Sequence, residues 1–137
     1  PLFRNFPTEY HSNLQWWELL NNSQVMLFTD FSNAFEPLVQ SIDTWFLNRK
    51  IGTLFEANVL NGKLMMSSMD IITNLDNRIV ARQMHKAILD YMNSPYFRPE
   101  SYVKIEQVQD LFSKPTPEVN MFTNQSPEEL KPLYNVK

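Results

Sequence analysis

The segment "GTLFEANVLNG" (Gly52–Gly62) lies near the middle of the 137-residue chain and is flanked by its only two glycines. Thr53 belongs to the residue types that cap helix N-termini, and glycine is common where a helix ends. We therefore predict a short helix over residues 53–61, set between two tight turns.

On both sides of this segment, apolar residues recur at the three- and four-residue spacing of an amphipathic helix. On the N-terminal side the pattern covers residues 31–46, but Pro37 interrupts it. The helix therefore either begins near Glu36, with the proline in its first turn, or is kinked at Pro37. On the C-terminal side it covers residues 64–92 and is the longest in the chain. We predict a helix for each, the second with a buried face that rotates near Ile79.

Two further helices are predicted nearer the ends of the chain. Ser12 or Asn13 can cap a helix that runs through Asn21. Pro99 can occupy the first turn of a later helix, because proline is favoured at that position.

Two short segments stay open between helix and strand: "VMLF" (Val25–Phe28) and "YVKIEQV" (Tyr102–Val108). The predicted fold class is mainly α, a small bundle of four to five helices with extended N- and C-terminal arms. One minor β-hairpin stays open as an addition to this bundle. A chain of this length fits a single core. We predict an extended N-terminal arm over residues 1–13, a helical body over 14–114 and an extended, proline-containing C-terminal arm over 115–137.

The composition excludes several classes of protein. Hydrophobic residues make up 43% and charged residues 20% of the chain, which are ordinary values for a globular domain. The net charge of -3 gives no global positive field, so nucleic acid is possible but not favoured as a partner. No cysteine is present, and no apolar run approaches the length of a membrane helix. We expect a soluble protein of a reducing compartment such as the cytoplasm, or of a virion, with no membrane partner.

No motif in the sequence indicates catalysis. The only histidines, His11 and His85, lack a second ligand at helical spacing, which argues against a metal site on one helix face. With glycine only at positions 52 and 62, the glycine-rich phosphate-binding loops are excluded. We therefore expect no enzymatic activity, no catalytic residue, no metal and no cofactor.

One row of basic residues could bind anions. Arg78, Arg82 and Lys86 recur every four residues, so they share one face of a helix. Such a row could contact phosphates, and the alternative function is a small regulatory protein that binds nucleic acid or its machinery. Asp90 continues the row and can pair with Lys86, which favours an ordinary solvated face.

Aromatic residues give the main functional prediction. In "LQWWELL" (Leu14–Leu20), Trp16 and Trp17 point about 100° apart on a helix, so one core stripe cannot cover both. We predict that one tryptophan is core and that the other is covered either by the arms of the chain or by a partner. Trp17 shares the smaller stripe with Leu14, so we predict that Trp17 is the one that faces the partner.

Aromatic residues in arms are typical of segments that order on a protein partner. We therefore predict a non-enzymatic structural or adaptor subunit that contacts other proteins, self or heterologous, within a larger assembly such as a viral or phage particle. The predicted partner-binding residues are Phe3, Phe6, Tyr10, Trp16, Trp17, Phe122 and Tyr134.

Overall fold

The computed structural model describes residues 1–6, 14–45 and 47–115. Within these ranges the chain forms a four-stranded antiparallel sheet with three α-helices and one 3-10 helix. The fold is therefore of the α/β class, and the predicted mainly-α bundle of four to five helices is wrong. The elements in chain order are the 3-10 helix Leu2–Asn5, α1 Leu14–Leu20, β1 Met26–Leu27, β2 Val39–Ser41, β3 Ile51–Val59, β4 Gly62–Ser67, α2 Ile79–Met92 and α3 Ile105–Ser113.

The segment that we predicted as a short helix over residues 53–61 mostly forms the central strand β3. Most of its residues are buried, because protein covers both faces of the sheet. A strand buried on both faces carries a nearly continuous apolar run and lacks the alternation of a half-exposed strand. Such a run cannot be distinguished from a buried helix by periodicity.

Strand β3 pairs with every other strand of the sheet. Leu54 is opposite both Val39 of β2 and Ser67 of β4, so β2 and β4 lie on opposite edges of β3. Strand β1 pairs with the start of β3 on the side away from β2. The edge formed by β1 and β4 is thus distinct from the edge formed by β2.

The β2 side of β3 is completed by the segment that precedes α3. The Asn58 backbone N–H donates to the Ser101 carbonyl at 2.8 Å, and the Val103 N–H donates to the Asn58 carbonyl at 3.0 Å. The Asn58 side-chain amide also donates to the Pro99 carbonyl at 2.5 Å. These bonds satisfy β3 beyond the end of β2.

Gly52 is required by the close approach of β2 to β3. A Cβ atom at this position would lie 2.6 Å from the Val39 carbonyl oxygen and 3.0 Å from Cβ of Pro37. The glycine therefore sits inside a strand, where it makes room for a neighbouring backbone, and does not end a helix as we had predicted.

One face of the sheet packs against the 3-10 helix, α1 and α2. Helix α2 contributes the largest share, because five of its side chains are buried. The buried residues of this core are Leu2, Phe6, Leu19, Leu54, Met69, Ile71, Ala81, Met84, Ala87, Ile88, Tyr91 and Phe97. We call this side the α2 face.

The opposite face is covered by phenylalanines from the loop after β1 and, above them, by α3. The rings of Phe28, Phe31, Phe35 and Phe55 have centroids between 4.7 and 6.0 Å apart, mostly edge-to-face. Met26, Ala57 and Val103 complete the buried set, and Val108 and Leu111 of α3 pack against it. We call this side the α3 face.

The two helices predicted on either side of the central segment are largely replaced by other structure. Residues 31–46 were predicted as an amphipathic helix, but their described part holds two residues of the phenylalanine cluster and the strand β2. Residues 64–92 were predicted as one helix, but the start of that range is β4, and helix begins only at Ile79. The predicted change of buried face near Ile79 thus coincides with the start of α2.

The ends of the chain also differ in part from the prediction. The 3-10 helix Leu2–Asn5 and the Phe6 that follows it are packed on the core through the buried Leu2 and Phe6, so this part of the predicted N-terminal arm is folded against the body. Residues 7–13 and 116–137 of the predicted arms lie outside the described residues. Helix α1 agrees with the predicted helix through Asn21, and the ambiguous "VMLF" contains β1. None of the described helices is long and apolar enough to cross a membrane.

Candidate protein-contact surfaces

The loop that follows β2 is held by an ion pair between Asp43 and Arg49. We call residues 42–45 and 47–50 the Trp45 loop. The Arg49 Nε donates to Asp43 Oδ2 at 2.8 Å and its Nη2 donates to Oδ1 at 3.1 Å, while the Arg49 backbone N–H donates to Oδ2 at 2.9 Å. This two-pronged geometry fixes both ends of the loop more firmly than a single contact would.

The electrostatics of this pair favour the charged state of both groups. Side-chain and backbone hydrogen bonds from Arg49 hold the pKa of the Asp43 carboxyl well below its usual range. The same carboxylate raises the pKa of Arg49. Both groups are therefore charged at neutral pH, and their ion pair closes the base of the loop. The Asp43 side chain is only 5% exposed there.

The Trp45 loop presents two large apolar side chains to solvent. Ile42 is 99% exposed and Trp45 is 83% exposed. Tryptophan is enriched among the residues that contribute most to protein interfaces. A loop that is fixed before binding also loses less conformational entropy on association. The arrangement is therefore suited to contact with another protein surface.

Sequence reasoning missed this loop, because Ile42 and Trp45 fit the apolar face of the helix predicted over residues 31–46. The only local signal is the pair Asp43 and Arg49, and a carboxylate six residues before an arginine is too common to predict a closed loop. The contact between Asp43 and Arg49 depends on the folded conformation of the loop backbone, which the sequence pattern does not show.

The outer face of α1 is a second exposed apolar surface. Trp16 packs into the core of the α2 face, with its ring edge-to-face to Phe3 at 5.9 Å and to Phe6 at 5.5 Å. Trp17 is 65% exposed, and Leu14 of the same stripe is exposed as well. The predicted division of the two tryptophans therefore agrees with their burial, and the partner at Trp17 stays a prediction.

The remaining predicted partner-binding residues fall into two groups. Phe3 is half-buried, and Phe6, at 2% exposed, is core; both contact Trp16 and are therefore occupied within the fold. Tyr10, Phe122 and Tyr134 lie outside the described residues.

The predicted anion-binding row is mostly engaged in ion pairs. Arg78 Nε donates to Glu18 at 2.5 Å, and its Nη1 lies 2.9 Å from Asp70. Lys86 pairs with Asp90 at 2.6 Å, as the sequence suggested. Arg82 is exposed, so the row offers one cation that is not already paired within the described chain. Because Arg78 and Lys86 are paired with carboxylates, the three basic side chains of the row do not form a common binding site for one anion.

A surface cavity of about 340 Å³ lies on the α3 face, between the loop of Phe31 and Phe35 and the segment of Glu100, Tyr102 and Gln107. Among the described residues, no group of three histidine, cysteine or carboxylate side chains could hold a metal ion. His85 is half-buried on α2, and His11 lies outside the described residues.

Comparison with known proteins supports a family but not an activity. No curated protein matches the chain. A family model described as "Domain of unknown function (DUF8487)" matches residues 1–113. That range contains the sheet, both of its covered faces and the Trp45 loop. Because the match spans most of the chain, the protein belongs to this family of domains of unknown function.

Proposed function

We propose that the chain is a non-enzymatic structural or adaptor unit, which contacts another protein subunit within a larger assembly through the Trp45 loop. The observation that carries the proposal is the exposure of Ile42 and Trp45 on a loop closed by the Asp43–Arg49 pair. Burying a tryptophan and an isoleucine contributes several kcal/mol in total, which is enough to dominate a small interface.

The exposed Trp17 on α1 supports the same class of function, since it adds a second large aromatic residue at the surface. Charge supports it as well, because the row of Arg78, Arg82 and Lys86 is mostly neutralised by carboxylates. The surface is therefore better suited to bind a protein than the phosphate backbone of a nucleic acid.

The experiment that tests the proposal is site-specific photocrosslinking followed by reconstitution. A photoreactive phenylalanine analogue at Ile42 should crosslink one defined protein in the native cells. The same analogue at Phe112, which is exposed on α3 and remote in sequence from the loop, serves as the matched control. The crosslinked protein is then purified, and its Kd for the full chain is measured.

For Trp45→Ala we expect the Kd to rise roughly thirtyfold or more, because loss of a central aromatic contact costs about 2 kcal/mol. Phe112→Ala should leave the Kd unchanged. Equal crosslinking at Ile42 and Phe112, or an unchanged Kd for Trp45→Ala, would contradict the proposal.

A further inference from the structure

The outer edge of β4 presents backbone groups that no described residue pairs. The Ser68 N–H donates to the Thr53 carbonyl at 2.9 Å, so alternate residues of β4, namely Leu64 and Met66, exchange hydrogen bonds with β3. Asn58 of β3 lies opposite Lys63, and its backbone N–H and C=O bond to Ser101 and Val103 on the side of β3 away from β4. The pair of Asn58 and Lys63 is therefore one that exchanges no hydrogen bonds, which agrees with this alternation. The N–H and C=O groups of Lys63, Met65 and Ser67 therefore point away from the sheet.

The outer edge of β4 lacks the features that usually prevent another strand from pairing with an edge strand. Strand β4 contains no proline, and the irregular pairing in the described sheet lies between β2 and β3, at Val39 and Gln40. A lysine can guard an edge, but the Lys63 ammonium donates to the Phe97 carbonyl at 2.6 Å and lies over the Phe97 ring. Its charge is thus held against the α2 face.

The side chains of β4 also leave apolar surface uncovered on both faces of the sheet. Met65 packs beside the core of the α2 face, and Leu64 and Met66 pack beside that of the α3 face, yet all three are only half-buried. An adjacent strand would cover their exposed sides, because neighbouring strands lie about 5 Å apart.

We propose that β4 pairs antiparallel with β4 of a second copy of the chain, in a register centred on Met65. This register sets Met65 opposite the partner's Met65, and Lys63 opposite the partner's Ser67. Each of these pairs exchanges two backbone hydrogen bonds, because all three residues direct their backbone groups outward. The sheet then continues across both copies. This contact goes beyond the proposed function and uses a surface other than the Trp45 loop.

Self-complementarity is the reason for choosing a second copy over another extended segment. The two-fold register keeps the two Lys63 side chains apart and matches Leu64 with the partner's Met66 between the hydrogen-bonded pairs. A register centred on Lys63 would set like charges opposite each other, which is unfavourable. A register centred on Ser67 would leave part of each strand without a partner.

The first test is the solution mass of the full chain by sedimentation velocity over a wide concentration range, with amide hydrogen exchange followed residue by residue. We expect a monomer–dimer equilibrium in which the amides of Lys63, Met65 and Ser67 become protected as concentration rises. The amides of Leu64 and Met66 should be protected at every concentration. A monomer throughout, or a dimer with fast exchange at Met65, overturns the proposal.

Charge variants give the second test. Ser67→Lys sets an ammonium opposite the partner's Lys63 at both ends, and we expect the dimer Kd to rise by about tenfold or more. Adding Lys63→Glu to this variant should restore dimerisation, which a folding defect would not do. Gln40→Lys, on the opposite edge, is the matched control and should dimerise like the parent chain. An unchanged dimer Kd for Ser67→Lys overturns the proposed pairing of β4 with β4. It does not bear on the proposed partner contact at the Trp45 loop.

Discussion

The two faces of the sheet are covered in different ways. The α2 face is packed by three helical segments, and α2 alone buries five of its side chains there. On the α3 face the sheet is covered mainly by the phenylalanine cluster, while α3 itself has no fully buried residue. One core is thus built from a helix and the other from a loop.

The two faces also differ in polarity. Glu56 of β3 lies beside Tyr91 of α2 on the α2 face, and its Oε2 is buried without a hydrogen-bond partner. Burial, together with a hydrogen bond to Glu56, raises the pKa of Tyr91 to about 12. The core of the α3 face is an apolar cluster built around four phenylalanines. We therefore expect the α2 face to respond to pH, and the α3 face chiefly to changes of side-chain volume.

Phe35→Ala should break the α3 face and give the largest effect. The ring of Phe35 contacts those of Phe28, Phe31 and Phe55 and is almost fully buried. Removing it leaves a cavity in the cluster, so the free energy of unfolding should fall by about 4 kcal/mol. Urea denaturation at neutral pH measures the change.

The matched control is Phe112→Ala on α3, where the ring is mostly exposed. It should change stability by less than about 0.5 kcal/mol. If Phe35→Ala cost no more than the control, the phenylalanine cluster would not be the core of this face.

The α3 face also explains why the sequence suggested a helix over residues 31–46. The Phe31 N–H donates to the Phe28 carbonyl at 3.1 Å, and the Phe35 N–H donates to the Ser32 carbonyl at 2.9 Å. Two successive turns thus place phenylalanines three and four residues apart on one side, which reproduces the helical period without a helix. Side-chain spacing alone cannot separate these structures.

Predictions succeeded where local geometry was sufficient. Trp16 and Trp17 are adjacent on a short helix, so the rotation per residue alone predicts that one is covered and the other exposed. In the structure Trp16 is half-buried against the core and Trp17 is exposed, while the prediction that both bind a partner stays a prediction. The failures concern long-range partners, since the burial of β3 on both faces depends on elements distant in sequence.

The Trp45 loop could not be predicted for the same reason. Ile42 and Trp45 are exposed because Asp43 and Arg49 close the loop, and this pairing is a tertiary contact. The exposed edge of β4 likewise depends on the register between β3 and β4, which no local pattern determines.

Alkaline pH should destabilise the protein through the α2 face. An unfolded tyrosine loses its proton near pH 10, whereas Tyr91 in the folded protein keeps it to about 12. The raised pKa therefore contributes stability that is fully present below pH 10 and is lost as pH rises towards 12. The expected loss is about 2 kcal/mol. Urea denaturation at a series of alkaline pH values measures it.

Tyr91→Phe separates this effect from the titration of other groups. The variant should be about 1 kcal/mol less stable at neutral pH, because the Glu56 carboxylate loses a hydrogen-bond donor. Between pH 10 and 12 it should lose less stability than the parent chain. Identical alkaline profiles for the two proteins would mean that Tyr91 is not the titrating group.

The smallest expected change in the free energy of unfolding comes from the ion pairs, which differ between the two faces. On the α2 face, Arg78 joins Glu18 of α1 to Asp70 of the loop before α2, and the three side chains are mostly covered. On the α3 face, Lys114 pairs with Asp30, and both side chains are about half exposed. An exposed pair contributes little, because solvent and salt screen its charges.

Arg78→Gln should therefore lower the free energy of unfolding by about 1 kcal/mol, since it leaves two carboxylates near each other and removes the link between α1 and α2. Lys114→Gln should give no measurable change. Both variants are compared by urea denaturation at low and high salt, where the cost of Arg78→Gln should decrease as salt screens the two carboxylates. If both variants were neutral, Arg78 would not hold α1 in place and would be available to an external anion. A measurable cost at Arg78 alone would assign it to the packing of the α2 face.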